Sequence, residues 1–106
     1  MIDPHKMYLK SIELAEDYAD KDFAAGTLED ALDALKGTLS AKLKSKGESV
    51  SIIPALVKSQ PEWVEMAGQW RLAKKVALLA KLKYDQSNRY QDNVRTAEAT
   101  TRQLTK

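Results

Sequence analysis

The stretch Pro61-Glu62-Trp63-Val64-Glu65-Met66-Ala67-Gly68-Gln69-Trp70-Arg71-Leu72-Ala73-Lys74-Lys75-Val76-Ala77-Leu78-Leu79-Ala80-Lys81-Leu82-Lys83-Tyr84 decides the fold. Trp63, Trp70, Ala77 and Tyr84 recur every seven residues, and Met66, Ala73, Ala80, Ser87 and Val94 hold a second position of the same repeat. Two such positions per seven residues line one edge of a helix and form the seam of a coiled coil. Pro61 suits a first helical position, where its missing N–H costs little, and Glu62 and Glu65 meet the positive end of the helix dipole. The pattern predicts a helix over about 61–103. Gln91 and Glu98 weaken the seam toward the C-terminus, and Thr100 to Lys106 are expected to fray.

Working back from Pro61, the connector 47–60 carries Ile52, Ile53, Leu56 and Val57, too many apolar residues for a solvated linker. It is expected to form a short helix or turn folded over the end of the long helices. Before it, Leu28, Leu32, Leu35, Leu39 and Leu43 follow steps of three and four. Tyr8, Ile12, Ala15 and Tyr18 or Ala19 do the same, which predicts a first helix over about 4–46. Asp3 and Pro4 supply its cap and first residue, and Lys42, Lys44 and Lys46 followed by Gly47 supply its end. Gly26 allows a kink where the two apolar runs meet. Two helices of similar length joined by a short connector predict an all-α antiparallel hairpin, one domain over 1–106, coiled-coil-like and assembling into a helical bundle.

The 106 residues contain no Cys and one His, which excludes a disulfide scaffold and any Cys-based zinc site. No apolar run reaches the roughly 18 residues a membrane span requires, and Met1-Ile2-Asp3-Pro4 does not resemble a secretion signal. A cytoplasmic location and no membrane partner are therefore expected. Residues 1–36 carry four Lys against nine Asp and Glu, a net of −5, whereas residues 71–106 carry nine Lys and Arg against three acids, a net of +6. Such halves either neutralise one another on folding or leave the basic half to bind an anion.

If the chain reverses near residue 54, Leu39 lies near Trp70, Leu35 near Ala73, Phe23 near Tyr84 and Tyr18 near Tyr90. The stripe Lys74, Lys81, Asn88, Arg95 and Arg102 then meets Asp33, Glu29 or Asp30, Asp20, Glu13 and Asp3, and the expected charge pairing selects an orientation. Glu13, Glu16, Asp17 and Asp20 lack the Glu-x-x-His partner of a di-metal bundle, so they read as a solvated pairing face, and His5 as a surface residue. No metal or other cofactor is expected. Trp63 and Trp70, with Tyr84 and Tyr90, read as core packing ahead of base stacking.

Leu9, Leu14, Leu72, Val76, Leu78, Leu79 and Leu82 fall off the principal stripe, and a lone hairpin cannot cover them. Leu72, Val76, Leu79 and Leu82 are the candidate partner surface, for a protein or a second copy in a homo-oligomer. Arg71, Lys75, Lys83, Arg89 and Arg102, with Lys106, are the candidate phosphate contacts of a weaker nucleic-acid reading.

The order of a long helix ending in Ala41-Lys42-Leu43, an intermediate segment, Ser59-Gln60-Pro61-Glu62-Trp63, and a long helix running through Asn88-Arg89 to Thr100-Thr101-Arg102 resembles small helical proteins of tailed bacteriophages and prophages. These are encoded near recombination and replication genes. Over roughly residues 30–102 the resemblance implies an accessory role in DNA metabolism or host takeover, exercised through protein contacts in the host cytoplasm. It brings no catalytic motif. Secreted helical hairpins with a Trp-x-Gly turn do not fit, because Trp63-Val64-Glu65 and Trp70-Arg71-Leu72 lack the glycine. The sequence thus reads as a non-enzymatic interaction module, with DNA binding along the basic face of the second long helix as the alternative.

Overall fold

The computed structural model describes residues 3–104. Three helices follow one another: α1 (Pro4–Ser45), α2 (Ile53–Ser59) and α3 (Pro61–Leu104). The two long helices pack antiparallel along their length into a rod measuring 81 × 22 × 15 Å. A hairpin of two long helices with a short helical connector is the predicted architecture.

Local chemistry accounts for the ends of α1. Asp3 Oδ1 accepts a 2.9 Å hydrogen bond from His5 N–H, with Pro4 as the first helical residue. At the far end Gly47 takes φ +87°, open to glycine at no steric cost. That turn lets Glu48 N–H donate to Leu43 O at 3.2 Å and Gly47 N–H to Lys44 O at 3.0 Å, the paired bonds of a Schellman cap. Between these ends α1 is one helix, without a break at Gly26. Next to it, Thr27 Oγ1 donates back to Phe23 O at 3.0 Å within the continuous helix.

Ser59 and Gln60 close α2 more than they open α3. Ser59 Oγ and Gln60 Nε2 both donate to Leu56 O, at 2.7 and 3.2 Å, while Gln60 is extended and turns the chain into Pro61. Ile53 and Val57, one turn apart on α2, are buried against Leu39, with Leu35, Leu43 and Trp63 packed around them. The connector thus forms a hydrophobic cap on the last turns of α1.

This cap shifts the register. Ser11 Oγ donates to Asn88 Oδ1 at 3.1 Å and Gln91 Nε2 to the Met7 carbonyl at 3.1 Å, so the midpoint of the reversal is residue 49 or 50, not 54. The physical reason is that α2 belongs to the returning arm. Leu39 consequently packs on α2, away from Trp70, and Tyr18 lies by Ala77 and Lys81, away from Tyr90. Phe23 is exposed rather than packed on Tyr84.

The α3 seam runs as its repeat predicts: Trp63, Met66, Trp70, Ala73, Ala77, Ala80, Tyr84, Ser87, Gln91 and Val94 are all buried or half-buried. In α1 the leucines from Leu28 to Leu39 hold the seam, but the N-terminal half differs from expectation. Met7, Ser11, Leu14, Tyr18, Lys21 and Ala25 occupy it, and Tyr8 and Ile12 are exposed. An unbroken helix must carry the leucine repeat backward in sevens, which places Ser11 and Lys21 inside and turns Tyr8 and Ile12 to the flank. Leu14, expected off the stripe, is therefore a seam residue. At the C-terminus α3 stays helical to Leu104 instead of fraying from Thr100, with Thr100 Oγ1 and Thr101 Oγ1 bonded to the carbonyls four residues back. The expected fraying of Thr105 and Lys106 lies outside the described residues.

Candidate interaction surface

Eight of the described residues are buried, and four of them, Ala25, Ala67, Ala77 and Ala80, are alanines. Trp63, Met66, Trp70 and Tyr84 of α3 are half-buried in the seam, whereas its leucines and Val76 stay outside. Leu72 is 63% exposed, Val76 38%, Leu79 49% and Leu82 47%. Steps of four and three place Leu72, Val76 and Leu79 on one side of the helix. On that side Leu72 and Val76 border a shallow apolar groove with Ala24, Ala73 and the stems of Lys21 and Gln69. Leu82 follows Leu79 by three residues and shares its outer edge with the exposed Leu78. Leu78 reaches the opposite groove, beside Tyr18, Asp22, Lys74 and Lys81.

Charge is arranged differently from the facing stripes read in the sequence. Ion pairs within 4 Å among the described residues are Lys10–Glu13, Lys21–Asp17, Arg95–Asp92 and Arg102–Glu98, each joining residues three or four apart on one helix. The shifted register is the cause. Asn88 meets Ser11 instead of Asp20, Lys74 and Lys81 share a groove with Asp22, and Arg95 lies by Pro4 and Met7. Lys83, outside the stripe, is the α3 cation that lines a groove with Glu13, Glu16, Asp17 and Asp20. Those carboxylates spread along that groove, and no group of three or more His, Asp and Glu residues among the described ones could hold a metal ion.

The candidate phosphate contacts do not form one cluster. Arg71, Lys75 and Arg89 are exposed on the outer side of α3, Lys83 turns toward the acidic groove, and Arg102 lies on the last turn beside Glu98. Lys106 lies outside the described residues. Of the aromatics, Trp63, Trp70 and Tyr84 are half-buried in the seam, and Lys74 Nζ sits 4.6 Å above the Trp70 ring centroid. Tyr90 is exposed beside Lys6 and Lys10. His5 is exposed at the helix start. No helix among the described residues is long and apolar enough to cross a membrane.

Reading by heptads placed Gln91 on the seam but missed its other polar members, Ser11 and Asn88. The signal was present in the spacing of Leu32 and Leu39, which extends back through Ala25 and Tyr18 to Ser11. Set against known proteins, the chain matches no protein family, no curated protein and no solved structure.

Proposed function

We propose that this chain is a non-enzymatic helical interaction module that docks a protein partner along the Leu72, Val76 and Leu79 side of α3. The observation that carries the reading is this exposed apolar stripe on a regular helix whose inner face is already occupied by α1. Exposed apolar surface organised along one helix face supports association, whereas scattered apolar residues do not. The bacteriophage resemblance extends the proposal to a setting among host or phage proteins of DNA metabolism. A nuclease-treated pull-down tests it, with the wild-type chain and Leu72→Lys/Leu79→Lys as baits. Protein captured by the wild type and lost from the variant supports the reading. Capture that vanishes with nuclease alone refutes it.

A second reading has its own observation. Arg71, Lys75 and Arg89 are exposed along about 27 Å of α3, at 1.5 Å per residue, and make no ion pair within 4 Å among the described residues. Such a row can track phosphates, and its signature is a steep loss of affinity with salt, with a slope of about 0.9 per phosphate contact on duplex. Weak, non-specific binding at physiological salt is expected. Submicromolar affinity at ~150 mM salt that disappears with Arg71→Ala, Lys75→Ala and Arg89→Ala combined would make DNA the principal ligand.

A further inference from the structure

From Arg71 to Lys83 every exposed residue of α3 is Leu, Val, Lys or Arg. The nearest acids on the helix, Glu65 and Asp85, lie ten residues before and after Lys75, about 15 Å away along the axis. Three of the cations face acids of α1: Lys74 and Lys81 share a groove with Asp22, and Lys83 shares one with Glu13, Glu16, Asp17 and Asp20. Lys75 is placed differently. It stands two residues from the buried or half-buried Ala73 and Ala77, about 200° around the helix, and so faces away from α1. Leu82, seven residues on, shares that outer line. The exposed Leu72, Leu78, Leu79 and Leu82 lie three residues before Lys75 and three, four and seven after it, so four leucines surround one cation, with Arg71 one turn before it.

A cation ringed by leucines selects among partners. A protein closing over this outer face would bury the Lys75 ammonium amid apolar contacts, which is costly unless an acid is placed against it. A nucleic acid would use Arg71 and Lys75 and leave the four leucines against water and phosphate. An anionic bilayer surface accommodates both kinds of side chain at once. Leucines enter the boundary between headgroups and acyl chains, while lysine and arginine stems lie along them and keep their charged ends among the lipid phosphates. No helix among the described residues is long and apolar enough to cross a membrane, and lying along its surface requires no such run.

We infer that the outer face of α3, centred on Lys75, Leu78 and Leu82, docks on an anionic lipid surface, with the rod lying flat and α1 turned to the water. This goes beyond the protein docking proposed for the Leu72, Val76 and Leu79 side, because Leu78 and Leu82 are not part of it. It also places the acidic grooves of α1 away from the negative headgroups.

Flotation of the purified full chain with lipid vesicles tests this at ~0.1 M salt, where charges are screened beyond about 10 Å. The wild-type chain is expected to float with vesicles of phosphatidylglycerol and phosphatidylcholine in equal parts, and to stay behind with phosphatidylcholine alone. Lys75→Gln is expected to weaken binding about fivefold. Leu78→Gln/Leu82→Gln, with the charge unchanged, is expected to weaken it roughly tenfold or more. Leu9→Gln, the same change at an exposed leucine of α1, is expected to leave it as it is. The comparison of the two vesicles uses the wild-type chain alone, so it stands even if the leucine variant loses its helical circular dichroism. No flotation with the anionic vesicles, or equal flotation with both, overturns the inference. So does a folded Leu78→Gln/Leu82→Gln variant that floats like the wild type. Duplex DNA bound by a chain that does not float would give Arg71 and Lys75 to nucleic acid and overturn it as well.

Discussion

Val57→Ala tests whether α2 is a structural cap or a passive connector. Val57 is 1% exposed at the centre of the cluster formed with Leu39 and Ile53. The substitution removes two carbons from that site, about 1.6 kcal/mol of transfer free energy at ~0.8 per group. The helices around it are tied by their own hydrogen bonds and cannot fully collapse, so the unfilled space adds roughly 1 kcal/mol. The expected loss is about 2.5 kcal/mol, a large share of the ~5 to 15 kcal/mol of an ordinary domain. Val50, seven residues earlier in the turn and 73% exposed, provides the same chemistry without the burial. Val50→Ala should cost under ~0.5 kcal/mol. Urea denaturation read by circular dichroism, at equal protein concentration, should lower the midpoint by more than ~1 M for Val57→Ala, with the slope unchanged. Trp63 packs against the cluster, so in a Trp70→Phe background its emission should redden for Val57→Ala and stay fixed for Val50→Ala. Equal costs for the two substitutions would refute the docking of α2 on the end of α1.

Cysteines at Ser11 and Asn88 should form a disulfide readily on oxidation, and a pair at Leu39 and Trp70 should not; the reverse would return the chain reversal to residue 54. Arg95→Glu and Glu13→Arg should combine additively within ~0.5 kcal/mol, because each pairs on its own helix; recovery in the double variant would show that the two meet across the hairpin. Amide exchange should be slowest from Leu32 to Leu39 and from Val57 to Ala80, and fastest over residues 4–20 and 85–104, where no residue is buried. Uniform protection would contradict this graded seam.

The α3 helix was legible because Trp63, Trp70, Ala77 and Tyr84 keep one seven-residue spacing from Pro61 onward, a repeat that the second apolar pattern of Leu72, Val76 and Leu79 on the flank shares rather than breaks. In the first half of α1 two apolar stripes one residue apart compete: Tyr8, Ile12 and Ala15 against Met7, Leu14 and Tyr18. Local hydrophobicity favours the first and helix continuity selects the second, since Leu28 to Leu39 are held in the seam from the far side of Gly26. The register was not legible from charge, because exposed ion pairs contribute about 0 to 1 kcal/mol and lysines and aspartates can find partners on their own helix just as well. It was carried by Ile53 and Val57, whose spacing of four marks α2 as a helix with one buried face and therefore as part of the returning arm. The candidate surface was legible as residue types, because Leu72, Val76 and Leu79 fall outside the seam repeat. Its division between two sides of α3, with Leu78 toward the opposite groove, required the position of α1.

The seam changes character along the rod, and that change separates stability from specificity. Near the cap, Leu32, Leu39, Ile53 and Val57 bury aliphatic side chains. Between the cap and the open end the fully buried positions are alanines, Ala25, Ala77 and Ala80, with Tyr18, Trp70 and Tyr84 half-buried around them. At the open end Ser11, Asn88 and Gln91 replace apolar contacts by hydrogen bonds of 3.1 Å, including one to the Met7 carbonyl. Such bonds contribute roughly 1 kcal/mol each. Shifting a helix by one residue would leave these half-buried groups unpaired, so they oppose slippage more than they oppose unfolding. The alanine segment is also where Leu72, Val76 and Leu79 stay exposed, with Leu72 and Val76 bordering the groove beside Ala24 of α1. Leaving the leucines and Val76 of α3 outside while alanines take the buried positions forgoes stability in a lone hairpin, and it supports the docking role proposed for that side of the helix.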